Sequence, residues 1–279
     1  MSIVNIRQGS TRLVDTKKVH LRGALYVAEA RTRAMMKWFW MILAIAVANP
    51  ALYLISVGIG LGGLIDKNVG SAGIDGVKYL TFLAPALLAQ AAIQSAMDET
   101  VYPTIEGFKW YKVFYSMNST PLSGGQISLG VFLTALFRTV YTVILYFLVM
   151  WFFGALDSPR AWLAIPTAIF AGVSFGALMQ AVAAKLENEN IFFVVLGRFI
   201  MMPLFLFSGT FFPLTSMPFF LQWIGWISPL WHATELGRYL TYGHEISSSM
   251  VLIHFAVLIT MLVAGLYLSA RIFTKRLAK

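Results

Sequence analysis

Between Leu129 and Phe153 the chain reads LGVFLTALFRTVYTVILYFLVMWFF, an apolar run interrupted by one charge, Arg138. A hydrocarbon core of ~30 Å takes about 20 mostly apolar residues at ~1.5 Å rise each, and a helix satisfies its own backbone hydrogen bonds in lipid. Five further stretches meet the same test: Trp38 to Leu64, Tyr79 to Met97, Ala161 to Ala184, Ile191 to Ser208 and Ser249 to Phe273. The expected fold class is an all-α membrane protein with six transmembrane helices. A soluble helical core fits poorly with 58% hydrophobic residues, 12% charged residues and a mean hydropathy of +0.74.

Six spans with short loops use nearly all of the 279 residues, which predicts one membrane domain. Its parts are a cytoplasmic N-terminus over 1–37, a six-span region over 38–273 and a cytoplasmic tail over 274–279. The net charge of +9 tracks topology and gives no reason to expect nucleic acid, because the basic residues flank spans instead of lining a polar fold. With the N-terminus inside, 15 of the 21 Lys and Arg fall inside, while Lys67, Lys78, Arg160 and Arg238 fall outside; this obeys the positive-inside rule. No cleaved signal peptide is expected. Cysteine is absent, so disulfides, thiolate metal sites and a cysteine nucleophile are excluded.

From His20 to Lys37, Leu21, Ala24, Leu25, Ala28, Thr32, Met35 and Met36 fall on one side of a helix. Arg22, Tyr26, Glu29, Arg33 and Lys37 fall on the other. This predicts an amphipathic helix lying along the membrane surface. The longest inner connection, Asp98 to Ser123, mixes charge with Tyr102, Phe108, Trp110, Tyr111, Phe114 and Tyr115, more aromatics than a solvated linker needs. Pro103 and Gly107 are expected to bracket a break, and Thr120 to cap the next helix with Pro121 in its first turn. From Phe205 to Glu245 the chain is apolar but repeatedly broken by Pro213, Pro218 and Pro229 and by Gly209, Gly225 and Gly237, which predicts short re-entrant outer helices between the fifth and sixth spans. Phe211, Phe212, Phe219, Trp223, Trp226 and His232 are the candidates for an outer gate or substrate exit, with Phe220 and Trp231 in the same aromatic belt.

The order of these elements, with Thr120-Pro121-Leu122-Ser123, Ser208-Gly209, Phe212-Pro213, Pro218, Gln222, Pro229-Leu230 and His232, resembles the ABC-2 type permeases. The stretch from Phe207 to His232 looks most like the branch of nodulation factor, lipooligosaccharide and drug export permeases; the chain departs from that branch at Ala233-Thr234-Glu235-Leu236-Gly237-Arg238. The resemblance implies a multi-pass permease of a bacterial inner membrane, N- and C-termini cytoplasmic, pairing with a second permease subunit as a homo- or heterodimer. Two cytoplasmic ATPase subunits, carrying the ATP and Mg, would drive export of a lipid-like, glycolipid or amphipathic drug-like substrate. Glu106, Phe108, Lys109, Trp110 and Tyr111 are then the candidates for coupling to the ATPase.

No G-x-x-x-x-G-K-[ST] phosphate loop is present, so this chain is not expected to hydrolyse ATP through that motif; no cofactor or metal is expected on it. Two charges lie inside spans, Arg138 and Arg198, with no deep acidic partner in sight; Arg138 is nine residues past Leu129, ~14 Å along a helix. Both are expected to face a polar interior. An ion-coupled secondary transporter is the alternative, though such carriers place carboxylates at the midplane. A membrane-embedded enzyme using His232 and Glu235, three apart on one helix face, is the lesser alternative. Glycines 58, 60, 62 and 63, and Gly172, Ser174, Gly176 and Ala177, would permit close helix approach.

Overall fold

The computed structural model describes residues 16–69, 73–186 and 191–278. The predicted N-terminal basic residues Arg7 and Arg12, and Lys279 of the tail, lie outside the described residues. The helices are α1 (Thr16–Met36), α2 (Phe39–Tyr53), α3 (Gly62–Val69), α4 (Tyr79–Ile105), α5 (Val113–Asn118), α6 (Gly124–Phe152), α7 (Ala164–Lys185), α8 (Phe192–Val195), α9 (Met202–Phe207), α10 (Phe219–Ile227), α11 (Pro229–Thr241) and α12 (Ser248–Leu277). Among the described residues the one β feature is an isolated bridge between Ile74 and Val77. Wider π-helical turns join α2 to α3 (Leu54–Leu61), extend α4 (Glu106–Trp110) and join α8 to α9 (Leu196–Met201).

Among the described residues, five continuous helices are long and apolar enough to cross a membrane: Phe39–Asn68, Tyr79–Trp110, Gly124–Phe152, Ala161–Lys185 and Ser248–Leu277. The sixth expected stretch is shorter. Its helix runs from Phe192 to Phe207, rising only ~24 Å at ~1.5 Å per residue, below the ~30 Å of a hydrocarbon core.

Helix α4 is the centre of the bundle, with Leu83, Ala84, Ala86, Ala92 and Ala96 fully buried. Its alanines let α7 approach to backbone contact: a methyl placed on Gly172 would sit 2.6 Å from the Ala92 carbonyl, and one on Gly176 2.9 Å from the Ala96 methyl. On the other side of α7, a methyl on Gly265 of α12 would come within 2.5 Å of the Leu178 amide. These small residues are therefore spent on contacts within the chain. The first and last long helices expose most of their apolar side chains, including Trp40, Ile55, Ile59, Leu252, Val263 and Tyr267.

The second span does not end at Met97. Helix α4 runs on through Asp98 and Glu99 and contains Pro103; the chain turns only at Lys112, whose φ is +54°. The carboxylates do not stop the helix because both are ion-paired inside the protein. Nor is Thr120 the cap of α6. Ser123 accepts from the Gln126 amide while the Gln126 side chain accepts from the Ser123 amide, a reciprocal capping box.

Helix α1 docks along the first half of α6. Gln126 Nε2 donates to the Val19 and His20 carbonyls, Thr134 Oγ1 donates to Ala28 O, and Gly130 receives Val27. The stripe turned inward holds Gly23, Val27, Arg31 and Met35, whereas Leu21 and Leu25 of the predicted apolar arc are exposed. At the same end of the bundle Phe108, Phe114, Ile127, Val131 and Phe273 form a separate small core. At the opposite end each proline starts an element instead of breaking one: Pro213 precedes the short turn Leu214–Ser216, Pro218 precedes α10 and Pro229 is the first residue of α11.

Candidate functional site

A cleft of about 450 Å³ opens between α2, α4 and α6, with Phe205 of α9 at one edge. Two polar ladders face it, each at helical i, i+4 spacing: Gln90, Gln94 and Asp98 on α4, and Arg138, Thr142 and Tyr146 on α6. Asn49 and Tyr53 add polar groups from α2, and Ile42, Ile45, Ala46 and Leu87 supply the apolar wall. Ser95 Oγ donates to Thr142 Oγ1 at 3.2 Å and ties the two ladders together. Such a cleft offers hydrogen bonds along one side and hydrocarbon contact along the other. It suits an amphiphile, whose head and tail need different walls.

Arg138 does have deep acidic partners. Its Nη2 donates to Asp98 Oδ2 at 3.1 Å and its Nη1 to Glu99 Oε2 at 3.2 Å. The sequence reading missed them because it ended the second span one residue before Asp98. Asp98 lines the cleft; Glu99 lies behind it, with 8% of its side chain exposed. Arg198 behaves differently: it sits on the exposed side of the Leu196–Met201 turn and does not join this cluster.

The coupling candidates separate into two groups. Phe108 is 2% exposed, packed edge-on against Phe114 and Phe273 with the Arg276 guanidinium 4.3 Å above its ring. It fixes the chain to its own core and presents no surface for a partner. Trp110 and Tyr111 are exposed, Lys109 is half-buried, and Glu106 faces Arg31 of α1 at 3.5 Å.

Of the gate candidates, Phe211 packs edge-on at 5.1 Å against Phe205, which lines the cleft. Phe212, Phe219, Trp223 and Trp226 are exposed. His232 is not on that surface. It is buried, with Nδ1 2.7 Å from Nδ1 of His254 and Nε2 3.0 Å from the Trp226 carbonyl. The carbonyl only accepts, so Nε2 carries the proton. Burial, then the neighbouring His254, pushes His232 down to about 4; as a neutral ring it accepts at Nδ1, and His254 donates.

His232 and Glu235 do not converge on one site. Glu235 turns to Arg238 and His244 instead, at 3.0 and 3.2 Å, so the pairing of acid and base expected from their spacing is absent. Among the described residues no cluster of three or more His, Asp or Glu could hold a metal ion. Arg238, read from sequence as an outer-loop charge, is 1% exposed: it donates to Gly209 O at 2.6 Å and to Phe82 O at 3.4 Å and lies 3.7 Å over the Phe82 ring. Only its i, i+3 spacing from Glu235 hinted at this.

The chain matches the ABC-2 type transporter family over residues 25–242, a span that includes both ladders of the cleft and runs to the end of α11. It is 26% identical over 233 residues to Nodulation protein J of Rhizobium leguminosarum bv. viciae, covering 84% of this chain and 86% of that protein. It is 27% identical over 231 residues to Nodulation protein J of Sinorhizobium fredii, covering 83% and 85%. Nodulation protein J of Bradyrhizobium diazoefficiens is 25% identical over 233 residues. With apolar helices of membrane-crossing length around a half-polar cleft and a family match over most of its length, this multi-pass membrane protein belongs to the ABC-2 type transporters.

Proposed function

We propose that the chain is the membrane-embedded half of an ATP-driven exporter for a lipid-like, glycolipid or amphipathic drug-like molecule, a lipooligosaccharide being the favoured class. The observation that carries this reading is the cleft, where a row of amides, hydroxyls and one ion pair faces an apolar wall. In this mechanism the substrate enters sideways, with its head along Gln90, Gln94 and Asp98 and its acyl chain against Ile42, Ile45 and Leu87. It leaves past Phe205 and Phe211 toward the exposed aromatics of α10.

The single membrane domain lies in a bacterial inner membrane with both termini cytoplasmic. The Phe192–Phe207 segment acts as the sixth, thinned crossing, α10 and α11 dip into the outer leaflet as re-entrant helices, and the exposed apolar side of α1 rests on the inner leaflet. A second permease subunit covers part of the exposed surface of α2 or α12. ATP and Mg bind a separate cytoplasmic ATPase, which engages Trp110, Tyr111 and Lys109. The half-buried Asp98 and the buried Glu99 favour a second reading, an ion-coupled carrier, since intramembrane carboxylates serve as proton sites in those proteins.

One experiment separates the two. Permease and co-purified ATPase, reconstituted in vesicles of phosphatidylethanolamine and phosphatidylglycerol, should move a fluorescent lipooligosaccharide when ATP is supplied and be insensitive to a protonophore; Gln90→Ala and Asn49→Ala should weaken probe binding. Transport without ATP that collapses with the proton gradient would establish the carrier. A cysteine at Ser158 should react with an impermeant thiol reagent in intact cells and one at Ser119 should not; the reverse pattern overturns the assigned orientation.

A further inference from the structure

Arg31 of α1 stands between two carboxylates, its Nη2 3.9 Å from Glu99 Oε1 and 3.5 Å from Glu106 Oε2. Both separations exceed the ~2.7–2.9 Å of a closed charge-assisted hydrogen bond, and Arg31 Nε makes no hydrogen bond at all. The other oxygen of Glu99 is held by Arg138, Arg138 also holds Asp98, and Asp98 Oδ1 accepts from Gln94 Nε2 at 2.8 Å. One unbroken series therefore runs from Gln94 in the cleft, through Asp98, Arg138, Glu99 and Arg31, to Glu106 at the start of the π-helical turn Glu106–Trp110. It contains three carboxylates and two guanidinium groups. Arg31 is consequently shared, and Glu99 and Glu106, two helical turns apart at ~10.5 Å of rise, compete for it.

We infer that Arg31 is a positioning residue that reports occupancy of the cleft to the Glu106–Trp110 turn. A headgroup that hydrogen-bonds Gln94 and Asp98 loosens the hold of Asp98 on Arg138. Arg138 then closes on Glu99, Glu99 releases Arg31, and Arg31 closes on Glu106. Glu106 begins a π-helical turn, a wider and less stable winding than the α-helix it extends; Trp110 and Tyr111, at and beyond its end, are the exposed residues assigned to the ATPase. The side chains of Arg31 and Glu99 are only 15% and 8% exposed and that of Glu106 is 36% exposed, so solvent screens the Glu99 arm of this exchange weakly. Two arrangements of one guanidinium, each favoured by a different site, are the physical requirement for coupling. The inference rests on the exporter reading above.

The test uses the full complex of permease and ATPase in the same vesicles, with the fluorescent lipooligosaccharide as probe and three readouts: basal ATP hydrolysis, probe affinity and stimulation of hydrolysis by the probe. Arg31→Gln should hydrolyse ATP at the basal rate and bind the probe no more weakly than wild type, yet lose stimulation by about fivefold or more. Arg31→Lys, which keeps the charge, should restore part of it. The double variant Arg31→Gln with Glu99→Gln should be no worse than the single, because both break one series. Wild-type stimulation in Arg31→Gln overturns the inference, and so does a parallel fall in binding and stimulation, which marks a structural role. If Arg31→Gln does not assemble, Glu99→Gln breaks the next link, and unchanged stimulation there is equally fatal. Failure of the exporter reading would show earlier and separately, as a wild-type chain with no ATPase attached and no ATP-dependent transport, and the inference would fall with it.

Discussion

Arg238 donates through Nη2 to the carbonyl of Gly209 at 2.6 Å, 29 residues away in the chain. Gly209 has a φ of +72°, a left-handed turn that glycine adopts without penalty, and the turn aims its carbonyl at the one fully buried guanidinium among the described residues. The contact fastens α11 to the end of α9, and the neighbouring bond to Phe82 O fastens both to α4. Arg238→Gln leaves Glu235 and two buried carbonyls short of a donor, which should cost about 3–5 kcal/mol. A lowered melting temperature in mild detergent is the expected result; an unchanged one would refute the clamp.

His244 gives this clamp a pH dependence. Its ordinary value is 6.5, and the hydrogen bond to Glu235 raises it; burial opposes the rise, while the charges of Glu235 and Asp75 add to it. Tyr242 also donates to Asp75, at 2.8 Å. A histidine whose folded value is raised contributes stability that is complete below about pH 6.5 and is lost as pH climbs through the folded value. For Glu235 burial pushes upward, but the bonds from His244 and Arg238 outweigh it and hold the carboxyl below 4.5, so its contribution disappears only in acid. Melting temperature should therefore fall as pH rises above about 6.5, and His244→Gln should flatten that slope. A slope that survives the substitution assigns it elsewhere.

The close approach of α12 to α7 depends on Gly265, where a methyl would meet the backbone at Leu178 and Ala177. Backbone cannot swing aside as a side chain can, so Gly265→Ala should destabilise by about 1–3 kcal/mol. Gly63 has nothing within 4 Å of the position a methyl would take, and Gly63→Ala in helix α3 should be neutral or stabilising by up to about 1 kcal/mol. Equal effects at the two sites would contradict the packing described for α7.

Phe108 and Trp110 should part company when each is truncated. Phe108→Ala opens a hole beneath Phe273 and Arg276 and is expected to cost about 3–5 kcal/mol of stability. Trp110→Ala and Tyr111→Ala, on the surface, should leave the melting temperature close to wild type while weakening co-purification of the ATPase. A stable Phe108→Ala that loses the ATPase would restore Phe108 to the docking surface.

Hydropathy alone located the apolar helices, because lipid leaves an isolated backbone one way to satisfy its hydrogen bonds; Gly124–Phe152 and Ser248–Leu277 lie where Leu129–Phe153 and Ser249–Phe273 were read. The prolines at 213, 218 and 229 likewise announced where elements start, and the residues from Ser208 to His232 announced the family. What composition could not supply was the environment of the charges. Asp98 and Glu99 read as the end of a span until Arg138 and Arg31, 40 and 68 residues away from Asp98 and Glu99 respectively, are folded onto them; Arg238 reads as solvated until Gly209 and Phe82 surround it. Phe108 reads as an anchor for a partner until Phe273 arrives from α12. Local pattern determines which segments are helices, since a helix closes its hydrogen bonds within itself. Which face of a helix is core, cleft or surface is decided by distant segments, and only the tertiary structure brings those together.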